Sequence, residues 1–277
     1  MKKIIKSNLR VGSFVLLFGI PIFAISQKLP HKQESNIWAP ENVKIDGEIN
    51  EWGNKFQAYN PVSRVFYTVS NDDKNFYLVI GTDDKFGTDK VLLGGVSLII
   101  RPTAEKGSKV SKGADDISIT YSTLSDDRKT EAITNLSHLV EKYRNDTITN
   151  KKKIDSLRSL GNLQMNNLFN KIRVTGIKII ANPLISVTNP YGIQAAVQFN
   201  NQMRYRYELA IPLKYFLSSI NNGEKFSYDI KLNGLPEVGS SGIGVVHFAN
   251  PISALPPDAV YMNYPTDFWG EYILAKK

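Results

Sequence analysis

From about Trp38 onward, apolar and polar residues alternate with a period of two in a series of short segments. Val65, Tyr67 and Val69 alternate with Phe66 and Thr68, and Ile117, Ile119 and Tyr121 with Ser118 and Thr120. The pattern returns at Ile193, Ala195, Val197 and Phe199, at Tyr205, Tyr207, Leu209 and Ile211, and at Phe226, Tyr228, Ile230 and Leu232. Each segment offers one apolar and one polar side, the signature of a half-buried strand. Residues 76–80 and 96–100 are more continuously apolar, as expected of strands covered on both faces. Residues 172–180, 242–248 and 268–275 are weaker strand candidates. Asn71-Asp72-Asp73, Asn189-Pro190, Asn221-Asn222-Gly223 and Asn233-Gly234 supply turns between these segments. Many short strands punctuated in this way, with few helices, predict a mainly β fold, an antiparallel β-sandwich of jelly-roll-like type.

Between residues 125 and 171 the alternation stops. Ile133, Leu136, Val140 and Tyr143 recur at helical spacing, as do Ile154, Leu157 and Leu160; past Gly161 the run continues less regularly through Leu163, Leu168 and Ile172. Asn145, Asp146 and Asn150 lie between the two runs. The spacing predicts two amphipathic helices, or a helical hairpin, inserted between strands at about residues 126–171. Lys151, Lys152, Lys153 and Arg158 read as the solvated start of the second helix.

The first residues change the reading of charge. The chain of 277 residues carries 34 Lys and Arg against 26 Asp and Glu, a net +8. Lys2, Lys3, Lys6 and Arg10 precede an uncharged run of 17 residues, Val11 to Gln27, that contains Pro21 and ends near Ala24-Ile25-Ser26. A basic start, an apolar middle and a small-residue cut site are the layout of a secretory signal peptide. A spanning helix needs about 20 apolar residues, so the expectation is cleavage after residue 26 and export to the periplasm, cell envelope or medium, with no membrane span left. Losing those four positive charges brings +8 to +4, too mild a charge for a nucleic-acid footprint. Residues 27–37 read as a short exposed lead-in to a sandwich domain over 38–277.

Candidate chemistry is sparse. The absence of Cys excludes disulfides, thiolate zinc sites, a cysteine nucleophile and a bacterial lipid anchor. His31, His138 and His247 are far apart in sequence. No Gly-x-Ser-x-Gly elbow, phosphate-binding loop or dinucleotide fingerprint occurs; the glycine-rich residues 239–244 lack a following helical pattern and read as a strand connection. A noncatalytic protein is therefore expected. Carboxylates cluster at Asp72-Asp73, at Asp83-Asp84 with Asp89 nearby, and at Asp115-Asp116. Clustered oxygens hold calcium, which takes about six to eight of them, but Asp is also the ordinary turn residue. Asp83, Asp84 and Asp89 are the candidate calcium ligands.

The most specific local feature is Trp38-Ala-Pro-Glu-Asn-Val-Lys-Ile-Asp-Gly-Glu-Ile-Asn-Glu-Trp52-Gly53: a short strand expected at 43–46, a glycine turn, acidic residues, then Trp. This resembles the opening of family 9 carbohydrate-binding modules and their DOMON-like relatives. Asn75-Phe76-Tyr77-Leu78-Val79-Ile80 before Asp83-Asp84 is similar to their strand entering an Asp-rich loop. Tyr207-Glu208-Leu209-Ala210-Ile211-Pro212 is similar to their late strand ending at Ile-Pro before a helical turn. The resemblance spans roughly residues 38–274. It implies a noncatalytic sandwich that binds a polysaccharide or oligosaccharide, often beside calcium; DOMON-like relatives instead hold haem, for which Met165, Met203, Met262 and His247 are the available axial ligands. Sugar binding needs aromatic faces with polar neighbours. Trp38 and Trp269 are the leading candidates and Tyr67 a third. In the motif itself, Trp52 is expected to plug one end of the core, and Asp46 and Glu48 to fix the Gly47 turn. A third function class is a structural or partner-binding envelope protein that uses the helical insertion to hold another protein.

Overall fold

The computed structural model describes residues 28–102, 116–121, 131, 134–136, 138, 141, 151–220, 225–234 and 256–277. The expected signal peptide, the strand at 242–248, Asp115, His247 and most of the first inserted helix lie outside the described residues.

Eleven strands are described: β1 (Ala58–Asn60), β2 (Val65–Asn71), β3 (Asn75–Thr82), β4 (Val96–Arg101), β5 (Ile117–Tyr121), β6 (Lys171–Thr175), β7 (Leu184–Ser186), β8 (Gln194–Phe199), β9 (Tyr205–Pro212), β10 (Phe226–Leu232) and β11 (Thr266–Tyr272). They form two antiparallel sheets, ordered β1-β2-β3-β9-β8 and β11-β10-β4-β5-β6-β7. The sheets pack face to face, as the alternation predicts. Val65, Tyr67, Val69, Phe76, Leu78, Ile80, Tyr207 and Leu209 of the first meet Val96, Leu98, Ile100, Ile119, Phe226, Tyr228 and Ile230 of the second in one buried cluster. Each fully buried side chain of this size contributes roughly 1.5–3 kcal/mol of transfer free energy. Phe76 lies at the centre, with its ring centroid 5.3 Å from that of Tyr272 and 5.4 Å from that of Phe226 in edge-to-face contacts.

The continuously apolar run in β3 has a specific cause. Its outward residues Tyr77 and Val79 are also buried, because residues 38–57 cross the outer face of the first sheet. Ala39, Val43, Ile45 and Trp52 pack there with Tyr77 and Ala210 as a second, smaller apolar cluster. Residues 43–46 are not a strand, contrary to the pattern. They cross the sheet face and make side-chain contacts instead of joining its ladder.

The helix Lys151–Leu168 is inserted between β5 and β6, and Glu131, Thr134–Leu136, His138 and Glu141 are also helical. The Lys151–Leu168 helix passes unbroken through Gly161 and lies on β8. A Cβ at Gly161 would stand 3.2 Å from the Phe199 ring, so the bare Cα permits the close crossing. The buried positions are Gly161 and Met165, whereas Leu160 and Leu163 are exposed. The apolar spacing of the sequence thus marks the helix but not the face it buries. Asn162 holds the edge strand: its Oδ1 accepts from Phe199 N at 2.7 Å and its Nδ2 donates to Phe199 O at 3.2 Å. Gln33 does the same for β2, with Oε1 accepting from Val69 N and Nε2 donating to Val69 O, both at 2.8 Å. The lead-in is therefore stitched to a sheet edge and occupies backbone groups that would otherwise be open to pairing.

Two further helices, Lys85–Gly94 and Pro257–Asn263, carry too little apolar periodicity to be read in the sequence. Asp84 caps the first by accepting from Gly87 N at 2.6 Å, and Pro257 stands at the start of the second. Among the described residues no helix is long and apolar enough to cross a membrane.

Candidate functional site

Strand register builds one polar face. Inward residues of the second sheet are apolar, so their neighbours in β11, β10, β4 and β5 point outward. Trp269 pairs with Asp229, Asp229 with Ile99, and Ile99 with Ser118. The next outward row runs Asp267, Lys231, Ser97, Thr120. On the other side Glu271 pairs with Ser227 and Ser227 with Arg101. Phe268 is buried in the core and Trp269 is half-exposed on the outer face.

One face of the Trp269 ring is covered by a cation. The Arg101 guanidinium lies over its ring, 4.9 Å from the centroid, a cation–π contact. Arg101 is itself fixed by a bidentate bond to Asp116: Nε to Oδ1 at 3.0 Å and Nη2 to Oδ2 at 2.8 Å. Planar fork-to-carboxylate geometry is the most orienting ion pair available to a protein, and both side chains are largely buried. Next to Trp269, the Asp229 side chain is buried and its Oδ1 has no hydrogen-bond partner. Burial pushes its carboxyl up to about 7, and the Asp267 charge adds to this; Lys231, the Phe268 N–H and Arg101 pull the other way. Ser97 Oγ and Thr120 Oγ1, 2.7 Å apart, and Asn233 Nδ2, donating to Ser97 Oγ at 3.1 Å, supply neutral polar groups on the same sheet.

The other sequence candidates are placed elsewhere. Trp38 is half-buried and forms a parallel bridge with Asn71 at the end of β2, on the first sheet. Tyr67 is a core residue: it is fully buried, its ring lies 4.9 Å from Phe268, and its OH accepts from Gln33 N at 2.9 Å. It has no place on a ligand face. Trp52 packs edge-on against Tyr77 at 6.1 Å, on the outer face of the first sheet and not at an end of the main core. Asp46 Oδ1 accepts from Glu48 N at 2.8 Å and closes the turn that contains Gly47. Glu48 instead accepts from Asn50 Nδ2 at 2.8 Å.

The three candidate calcium ligands do not converge. Asp83 pairs with Arg204 at 3.0 Å and Arg206 at 3.4 Å, Asp84 caps a helix and faces Arg64 at 3.6 Å, and Asp89 pairs with Lys85 at 3.1 Å. Each carboxylate already has a cation or an N–H donor, which does not fit a cation cage. Among the described residues no three His, Cys, Asp or Glu side chains stand together as a metal-holding group. Met165 and Met203 are buried in the core and Met262 is half-buried, so these residues supply no exposed pair of haem ligands.

Sequence reasoning singled out Trp269 as a ligand residue and noted Asp116 only within a carboxylate pair; Arg101 and Asp229 were not singled out. An Arg ending one apolar strand and an Asp opening the next were visible signals; their pairing required the β4–β5 register. The chain matches no protein-family model and no curated protein.

Proposed function

We propose that this is an exported, noncatalytic glycan-binding protein whose ligand stacks on Trp269 at the outer face of the second sheet. The observation that carries the reading is a half-exposed indole with the Arg101 guanidinium over its ring and the Asp229 carboxyl paired beside it on the neighbouring strand, on a sheet face that also carries Ser97 and Thr120. A pyranose ring presents a flat C–H face and a rim of hydroxyls, and this combination matches both. The opening from Ile45-Asp46-Gly47 to Trp52 supports a sandwich of the family 9 carbohydrate-binding type, and the basic, apolar start supports export. Affinity electrophoresis of the folded mature protein through a panel of soluble polysaccharides tests it. Retardation by at least one glycan is expected, with Trp269→Ala weakening it by about tenfold or more, given the area a stacked ring buries. No retardation on any glycan, or full retention by Trp269→Ala, overturns it.

A further inference from the structure

Two buried carboxyl oxygens lie beneath the segment that crosses the first sheet, and neither has a partner. Glu208, on the outer side of β9, is fully buried. Its Oε2 accepts from Asp46 N at 3.0 Å and from Gly47 N at 2.8 Å, whereas Oε1 is enclosed and makes no hydrogen bond. Glu51, two residues after the buried Ile49, is half-buried, and its Oε2 is likewise enclosed without a hydrogen bond. The Glu51 charge acts on Glu208 across this interface. Buried polar atoms are nearly always paired, so two orphans that feel each other call for one explanation. A carboxylate only accepts, and two of them bond only when one carries a proton.

Among the described residues no cation pairs with either carboxyl. Lys44 and Lys55 of the crossing segment are exposed, as are Asp46 and Glu48. On β3, Val79 pairs with Glu208, and Tyr77 gives its OH to Asp72 at 2.7 Å. On β8, Ala196 pairs with Glu208, and Gln198 gives its amide to Asp46 O at 2.7 Å while accepting from Asn162 of the inserted helix. Arg206, two residues along β9, is committed to Asp83 and Tyr205 O. Burial, with the Asp46 and Glu51 charges adding, pushes the Glu208 carboxyl up to about 8, against the pull of the Gly47 and Asp46 N–H groups. Like charges crowded in a dry place keep one proton between them.

We infer that Glu208 carries a proton on Oε1 and donates it to Glu51 Oε2, and that this shared proton latches residues 45–54 onto the first sheet. The latch responds to pH with one sign. The closed segment holds the proton more tightly than the open one does, so closure is favoured at the acid end and weakens as pH rises toward 8. Beyond that point Glu208 and Glu51 face each other as two anions, with Asp46 beside them, and the segment lifts. Opening uncovers the small cluster of Val43, Ile45 and Trp52 on Tyr77 and Ala210, while the main core stays closed.

Carbon NMR of the Glu208 carboxyl against pH, in wild type and Glu51→Gln, tests the pair. Wild type is expected to titrate well above the ordinary carboxyl range. Glu51→Gln should lower that midpoint by about one pH unit or more, a shift that a merely structural Glu51 would not produce. Hydrogen exchange tests the latch, with protection factors corrected for the intrinsic effect of pH. Protection of residues 45–49 should fall at least about tenfold from pH 6 to pH 8 while residues 76–80 of β3 hold. Glu208→Gln, which keeps an acceptor and gains an amide donor for Glu51, should abolish the fall. An ordinary Glu208 midpoint means that a bridging water joins the two oxygens, and overturns the inference. So does a midpoint that Glu51→Gln leaves in place, or a parallel loss of protection in β3. A titration that added calcium shifts and a chelator restores also overturns it, since a cation then joins the carboxylates. If neither variant folds, the wild-type titration with and without calcium, together with the comparison of residues 45–49 against β3, decides.

Discussion

Gly47 and Glu208 couple the turn at residues 46–48 to strand β9, far away in sequence. Gly47 has φ of +87°, and a Cβ there would stand 2.8 Å from the backbone of Val197 and Gln198. Glycine is therefore required twice, by conformation and by contact. Gly47→Ala should cost roughly 2–3 kcal/mol, read as a lowered urea midpoint with unchanged m. Opposite the turn, Glu208 Oε2 accepts from Asp46 N at 3.0 Å and Gly47 N at 2.8 Å, while Oε1 is buried without a partner. Burial pushes this carboxyl from its ordinary 4.5 up to about 8; the Asp46 and Glu51 charges add to the shift and the two N–H groups oppose it. Between those values the folded chain binds the proton more tightly than the unfolded chain does. Stability contributed by Glu208 is thus greatest at the acid end and declines as pH rises toward 8. Glu208→Gln keeps an acceptor oxygen and forms no charge. Relative to wild type it should gain about 1 kcal/mol or more in unfolding free energy between pH 5 and pH 8; two pH curves that run parallel would reject this account.

At the scale of elements, a buried lysine fastens a helix that the sequence pattern hides. Lys90, on the Lys85–Gly94 helix, is fully buried, and its Nζ donates to Tyr261 O at 2.6 Å, Tyr264 O at 2.7 Å and Thr266 Oγ1 at 3.1 Å. All three protons are used. Nζ also stands 4.2 Å from the centre of the Tyr261 ring. Burial, with the Arg64 charge adding, pulls this amine down to about 8. Arg64 joins the same end of the sandwich, with Nη2 2.7 Å from Asp258 and its guanidinium 4.4 Å from the Tyr261 ring centre. Lys90→Met keeps the apolar stem but orphans three acceptors. It should cost roughly 2–4 kcal/mol, and hydrogen exchange should rise first in residues 257–266; uniform exchange across the molecule would count against a local clamp. Neither helix was legible beforehand, since seven or ten residues with little apolar periodicity give no phase to read. The strands were legible, because alternation along β5, β8 and β10 follows directly from one sheet face meeting a core. In the inserted Lys151–Leu168 helix the chain showed that a helix forms, but its apolar residues Leu160 and Leu163 are exposed. The contact with β8 is made by Gly161 and Asn162, whose suitability depends on what lies opposite.

Across the whole molecule, the two outer faces have different fates. The first sheet is covered by residues 38–57, so its outer face is a second core. The outer face of the second sheet carries Trp269, Arg101 and Asp229. The glycan face we propose lies on the second sheet, where Trp269→Ala should weaken binding. The chain by itself determined the long alternating strands, the sandwich and the Gly47 turn, because these follow from local periodicity and from backbone conformations that only certain residues adopt. Tertiary structure alone decided that Tyr67 is core, that Asp83, Asp84 and Asp89 each meet a separate partner, and that Arg101 joins Asp116 to Trp269. Those outcomes depend on strand register and on desolvation, which are set by residues distant in sequence and leave no trace in local pattern.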